Sequence, residues 1–179
     1  MKAIMISIKP KYVADVLNGK KTIEIRKTLP KCDLPIDVYI YCTKDKKYAN
    51  LINRGGFLTG MVVAKFTLDK VDKIHLRFEK YCAGELSQDG LLKYACLTEQ
   101  ELDNYLWSNC CIGYAWHIDN LVIFDKPKDL KEFYVYSHSV EGVGLDGKDK
   151  TFEILKPLTK APQSYCFIRD VLWKRKKKD

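Results

Sequence analysis

Histidine is scarce in this chain, with three in 179 residues, and the seven cysteines include no C-x-x-C pair. Cys110 and Cys111 with His117 lack a fourth partner at the spacing zinc uses. His75 and His138 have no patterned neighbour. Histidines of this kind are structural, so neither a metal nor a cofactor is expected. No apolar run approaches the 18 or so residues of a helical membrane span, which argues against a membrane partner. No secretory leader is expected either, because Ala3 to Ile8 is too short for one and runs straight into Lys9-Pro10-Lys11. Seven cysteines are an odd number without a framework. The expectation is a reduced, cytoplasmic protein in which several cysteines act as small buried hydrophobes. No internal repeat and no dividing linker is visible. One domain over residues 1–170 with a basic tail over 171–179, as a monomer, is the organisation expected.

What is present fits one ordinary globular domain. A chain of this length buries roughly 70% of its unfolded surface, and a hydrophobic content of 46% argues against disorder. The net charge of +8 is uneven: residues 1–31 hold eight Lys or Arg against two acids, and the last nine hold five against one. If the two ends lie close together, one side of the molecule is strongly basic and attracts phosphate-bearing ligands. Solubility alone is the competing explanation.

Along the chain, Ile4, Ile6 and Ile8 alternate as a strand with a buried face. Pro10 opens a helix of about two turns through Val13, Val16 and Leu17, and Gly19 stops it. Lys27 to Pro35 is a polar connection, and Val38 to Cys42 is a strand. Lys44 to Gly56, with Lys44, Lys46, Lys47 and Arg54, reads as a loop or short helix. Phe57 to Leu68 is a long strand signal with a bulge or bend at Gly60, and Val71 to Leu76 continues the sheet. Arg77 to Leu97 has no clear pattern. Thr98-x-x-Glu101 is a capping box opening a helix through Leu102, Tyr105 and Leu106. Gly113 to Ile118 and Leu121 to Phe124 are strands joined by an Asp-Asn turn. A helical turn at Leu130 to Phe133 and a last strand at Ser164 to Ile168 follow. Gly142-Val143-Gly144-Leu145-Asp146-Gly147 spells G-x-G-x-x-G. Without a following apolar helix it is not a dinucleotide fingerprint, and residues 140–150 read as a mobile loop.

The stretch from Asn18 to Lys27 concentrates charge of both signs in an alternating strand. Ile23 and Ile25 fall on one face, and Thr22, Glu24 and Arg26 on the other. A surface ion pair or the floor of a binding cleft both explain such a pattern. Lys21 sits at the turn, where strand parity does not fix its direction.

Gly19-x-Lys21-x-x-Glu24-x-Arg26 resembles the G-x-K-x-x-E-x-R signature of the ASCH domains, a branch of the PUA-like β-barrels. Ile4 to Pro10 looks like that family's first strand. Gly113 to Ile118 and Ala161 to Cys166 look like its late strands. The resemblance implies an α+β fold: a PUA-like mixed or antiparallel β-barrel with flanking helices. It also implies a cleft holding the signature Lys, Glu and Arg, with RNA, nucleotide or nucleoside ligands. Lys21, Thr22, Glu24, Arg26, Trp116, His117 and Ser164 are the candidate ligand-binding residues, and Lys21 and Glu24 the catalytic pair if the protein is an enzyme. Arg26 offers a planar fork for a phosphate or base edge, or braces Glu24. Glu24 can accept from an exocyclic amine, and Lys21 can neutralise a phosphate or act as a base. Trp116 and His117 point to opposite faces, so only one of them can meet a ligand; a core Trp competes with a base-stacking one. One ASCH-like branch hydrolyses the amide of N4-acetylcytidine with a Lys, a Thr nucleophile and a Glu. Lys21 matches that Lys, but Glu24 stands where the branch has its threonine, which removes the expected nucleophile. RNA or nucleotide binding is the leading expectation. Hydrolysis of RNA or a modified nucleoside, and a protein-interaction role, are the alternatives.

Overall fold

The computed structural model describes residues 2–45, 59–77, 80–107 and 110–169. The basic tail, Lys46, Lys47, Arg54 and the start of the strand expected at Phe57 lie outside the described residues. Among the described residues eleven strands form two sheets. The larger has seven: β1 (Lys2–Ile8), β3 (Ile36–Cys42), β4 (Val62–Leu68), β8 (Asp119–Lys128), β9 (Tyr134–Val143), β10 (Asp149–Pro157) and β11 (Tyr165–Arg169). Their order is β10-β9-β11-β1-β3-β4-β8. Only β1 and β3 run parallel; every other neighbouring pair is antiparallel. The smaller sheet has the order β2-β7-β5-β6, with β2 (Ile23–Arg26), β5 (Val71–Arg77), β6 (Lys80–Ala83) and β7 (Gly113–His117). Three α-helices lie among the described residues: α1 (Pro10–Leu17), α2 (Gln88–Ala95) and α3 (Glu99–Leu106). None is long and apolar enough to cross a membrane.

β1 is central because both its faces are apolar, as a doubly covered strand requires. Ile4, Ile6 and Ile8 join Val38, Ile40 and Phe66 in one cluster, onto which α1 lays Val13 and Val16. Ala3 and Met5 on the other face pack with Tyr39, Tyr41, Phe133 and Ile168. The smaller sheet has its own core, where Ile23, Ile25 and Ala115 meet Leu91 of α2 and Leu102 and Leu106 of α3. Burying each of those leucines contributes about 1.5–3 kcal/mol. α3 has the capping box, with Thr98 accepting from the Glu101 amide and Glu101 from the Thr98 amide. In α1, Pro10 stands in the first turn and Gly19 follows the end at φ 69°, where a Cβ would be strained.

Three expectations are corrected. The sheets do not close into a barrel: β2 is laddered to β7 alone among the described strands, and it reaches β1 through a side chain, Arg26. Val71 to Leu76 does not continue the sheet of β4; β5 pairs with β6 and β7 in the smaller one. Residues 140–150 are not a loose loop. They form the outer half of a long antiparallel hairpin, β9–β10, turning through residues 144–148. Both faces of its outer part meet solvent, so the strands lack the buried apolar face that marks β1. Gly60 lies in a turn at φ 85° ahead of β4, while the irregularity in the pairing of β3 with β4 falls at Ile40 and Tyr41. Asn120, at φ 48°, stands near the start of β8, where the chain crosses from the smaller sheet to the larger.

Candidate functional site

The gap between the two sheets holds the charges of β2. Because Ile23 and Ile25 turn to the helices, Glu24 and Arg26 point the other way, toward β1 and α1. Lys21 reaches the same place from the turn after α1, where its amide and that of Lys20 both donate to the Asp15 carbonyl. All three side chains are nearly buried. Lys21 Nζ lies 3.3 Å from Glu24 Oε2, and an Arg26 terminal nitrogen 3.1 Å from Glu24 Oε1.

Each group is also held from outside the triad. Lys21 Nζ donates to the Ala95 carbonyl at 2.7 Å. That carbonyl is the last of α2, one of the acceptors a helix end leaves open and a favourable place for a cation. Arg26 donates to the Ser7 carbonyl of β1 at 2.9 Å and to the Ser164 carbonyl ahead of β11 at 3.1 Å. The guanidinium therefore ties the smaller sheet to β1 and to the segment leading into β11, and its fork is filled by protein acceptors. Its Nε is buried without a hydrogen-bond partner among the described residues.

Above this floor is a cleft of about 660 Å³. Tyr12 from α1 and Tyr105 from α3 form part of its walls, with Ile25, Leu97 and Pro162 supplying apolar surface. The Lys21 ammonium stands 5.4 Å from the centre of the Tyr12 ring. Glu101 spans the mouth: its Oε1 accepts from Lys11 Nζ at 2.8 Å and from the Tyr12 hydroxyl at 3.1 Å. The hydrogen bond from Lys11 is the main reason its carboxyl falls to about 2. Burial, then the bond to Glu101, pushes the Tyr12 phenol up, so it stays a donor. Lys9, Lys21 and Arg26 face Glu24 and Glu101 in the lining, a surplus of one positive charge.

The remaining candidates lie elsewhere. Trp116 shares the sheet face of Glu24, its partner across the β2–β7 pairing, yet it is fully buried in the core below the cleft, with its ring centre 5.9 Å from that of Tyr165. His117 is bound at Nε2 to Asp72 Oδ2 at 2.8 Å, and Lys70 joins the same oxygen at 3.2 Å. Thr22 and His117 line a separate hollow of about 300 Å³. Ser164 contributes its carbonyl, while its hydroxyl is 3.5 Å from that of Thr28. Among the described residues no three His, Cys, Asp or Glu side chains are grouped to hold a metal. The sequence pattern does not single out Tyr12, Glu101 or Tyr105 as cleft residues. The capping box marks Glu101 only as a helix start, and Tyr105 counts there as part of an apolar stripe. A helix-wheel comparison of Leu102 and Leu106 with Glu101 and Tyr105 is the signal that separates core from cleft.

The model of the ASCH domain matches residues 6–126. This chain belongs to the ASCH domain family. Among solved structures, the ASCH domain resembles an ASCH protein from Zymomonas mobilis at 16% identity and a TM-score of 0.59, over 97% of this chain and 92% of that one. Two single-substitution variants of the same Zymomonas mobilis protein match similarly. The tyrosine-to-phenylalanine variant has a TM-score of 0.58 at 16% identity, over 98% of this chain and 96% of that one. The serine-to-alanine variant has 0.58 at 17%, over 97% and 92%. At such identities the resemblance speaks for the fold. No curated protein matches the chain significantly.

Proposed function

We propose that this ASCH domain binds RNA or a nucleotide, with one nucleotide unit seated in the cleft over Lys21, Glu24 and Arg26. The observation that carries the reading is the convergence of two cations and one carboxylate, nearly water-free, on the floor of a cleft walled by two tyrosines. Family membership supports it, since ASCH domains are generally associated with RNA. The groups divide the work. Arg26 is committed to Glu24 and two backbone carbonyls, so it braces the site. Glu24 retains lone pairs for an exocyclic amine, Lys21 retains one N–H donor for a carbonyl or phosphate oxygen, and the tyrosine rings offer faces to a base. The surplus positive charge suits a single phosphate better than a triphosphate.

The test is a binding panel of single-stranded RNA oligomers and nucleosides, modified ones included, comparing wild type with Lys21→Ala and with the Lys21→Ala, Glu24→Gln double variant. Gln at 24 can still accept from Arg26. Losing a charged hydrogen bond to ligand costs about 1.5–3 kcal/mol, so affinity should fall at least tenfold. Equal affinity for wild type and both variants would refute the reading.

A hydrolase acting on RNA or on an N4-acetylcytidine-like nucleoside is the second reading, favoured by the 3.3 Å approach of Lys21 to Glu24. Such a pair could move a proton. Thr22 faces the other hollow, so a water or substrate hydroxyl would have to be the nucleophile. Turnover of N4-acetylcytidine or RNA, abolished by Lys21→Ala, would select this reading.

A further inference from the structure

His75 and Cys82 are separated in the sequence at a spacing that marks no motif, yet the β5–β6 hairpin sets them directly opposite each other. Ile74, Tyr81 and Ala83 take the core face of that hairpin. Alternation therefore turns His75 and Cys82 to its other face, where the histidine is exposed and the cysteine half-buried. Cys82 Sγ lies 3.3 Å from His75 Nε2 and 3.6 Å from the His75 carbonyl oxygen. The imidazole nitrogen is thus the nearer acceptor for the thiol proton. A thiol with a base at hydrogen-bond distance is the arrangement that makes a cysteine nucleophilic. Lys73 of β5 and Lys80 of β6 stand two positions along on the same face. Their charge favours a thiolate and draws in anionic reagents.

The other cysteines lack this arrangement. Burial pushes the thiols of Cys42 and Cys166 up to about 11, and it raises those of Cys32 and Cys96 as well. Cys111 is hydrogen-bonded to Tyr81. Cys110 is exposed, but the remaining histidines are engaged elsewhere, His117 with Asp72 and His138 beside Ser137. Among the described residues, Cys82 is the thiol that combines access with a base.

We propose that Cys82, with His75 as its base, is a site of reversible thiolation by small anionic disulfides of the glutathione type. His75 takes the thiol proton, and the Cys82 sulfur attacks one sulfur of the disulfide. A new S–S bond forms as the old one breaks, and the departing thiolate takes the proton back from the imidazolium. Cys82 is oxidised and the released half of the reagent is reduced, so no further oxidant is needed. The experiment treats the full chain with glutathione disulfide at pH 7 and follows each cysteine by peptide mass spectrometry, in wild type and in His75→Gln. An unassisted thiol is only a few per cent ionised at that pH, so Cys82 should react about tenfold faster than the more exposed Cys110. His75→Gln should slow Cys82 by about the same factor and leave Cys110 unchanged. The pH at which Cys82 reaches half its limiting rate should also rise in His75→Gln, a shift that a merely structural histidine would not produce. Cys110 reacting as fast as Cys82 in wild type, or Cys82 keeping its rate in His75→Gln, would overturn the proposal. Cystamine, a cationic disulfide, is the second probe. Its reacting faster than glutathione disulfide at Cys82 would overturn the preference for anions. His75 is exposed, so the substitution removes no core packing, and an unchanged melting curve excludes misfolding as the cause.

Discussion

Glu24 is the residue on which the buried charges depend. With it in place, two cations within salt-bridge distance share one carboxylate. Without it, Lys21 and Arg26 face each other across a nearly dry space. Removing one partner of a buried ionic network costs about 3–5 kcal/mol, because the charge left behind has no compensation. Glu24→Ala should therefore lower unfolding stability by about that amount in a denaturant titration, and Glu24→Gln by less. A loss under about 1 kcal/mol for Glu24→Ala would mean that water already screens the network. At this scale the sequence was informative about which residues matter and silent about how they are used. Alternation along Ile23 to Arg26 separates the two isoleucines that pack in the core of the smaller sheet from the two charged residues. The direction of Lys21 depends on the carbonyl at the end of α2, 74 residues away, and no local pattern encodes it. Trp116 shows the complementary limit: an aromatic beside a signature strand is compatible with stacking or burial, and packing against Tyr165 decided for burial.

Between elements, Glu101 acts as a clasp. It caps its own helix through one oxygen and holds Lys11 and Tyr12 of α1 through the other, fixing the separation of the cleft walls. Its carboxyl is depressed from 4.5 to about 2 in the folded protein. A depressed acid stabilises the fold fully above the unfolded value, and the benefit fades as pH falls from about 4.5 through about 2. Lys11 and Glu101 are partly solvated, with side chains 53% and 34% exposed, so screening reduces the contribution to about 1 kcal/mol or less. Glu101→Gln keeps an acceptor for the helix cap and loses the charge. Its acid-unfolding profile should be flatter than that of wild type between pH 4.5 and 2, and an unchanged slope would show that the clasp is not closed in solution. Elements with a strong local code were legible in sequence, such as the capping box of α3 and the proline start of α1. β9 and β10 were not, because the hairpin is held by its own ladder and, among the described residues, meets β11 at a single pair, Arg169 with Tyr134.

On the scale of the molecule, the lysine-rimmed cleft makes a prediction about salt. If binding neutralises about four phosphates of a single strand, affinity should fall roughly 50-fold between 50 and 200 mM salt. A flat response in a titration would point to a small uncharged ligand occupying the cleft alone. The α+β class and most strand positions were legible, whereas the division into two sheets was not. Which strand neighbours which depends on contacts across the whole chain, and a one-dimensional pattern cannot distinguish a closed barrel from two sheets bridged by a side chain. That bridge bears on biosynthesis. The carbonyls that Arg26 grips belong to Ser7 and Ser164, so β1 and the segment leading into β11 must meet before the guanidinium is fully engaged. At roughly 5–20 residues per second of synthesis, Arg26 waits some seven to thirty seconds for its second carbonyl, and until Ser164 has left the ribosome the nascent domain lacks the finished floor of its binding site.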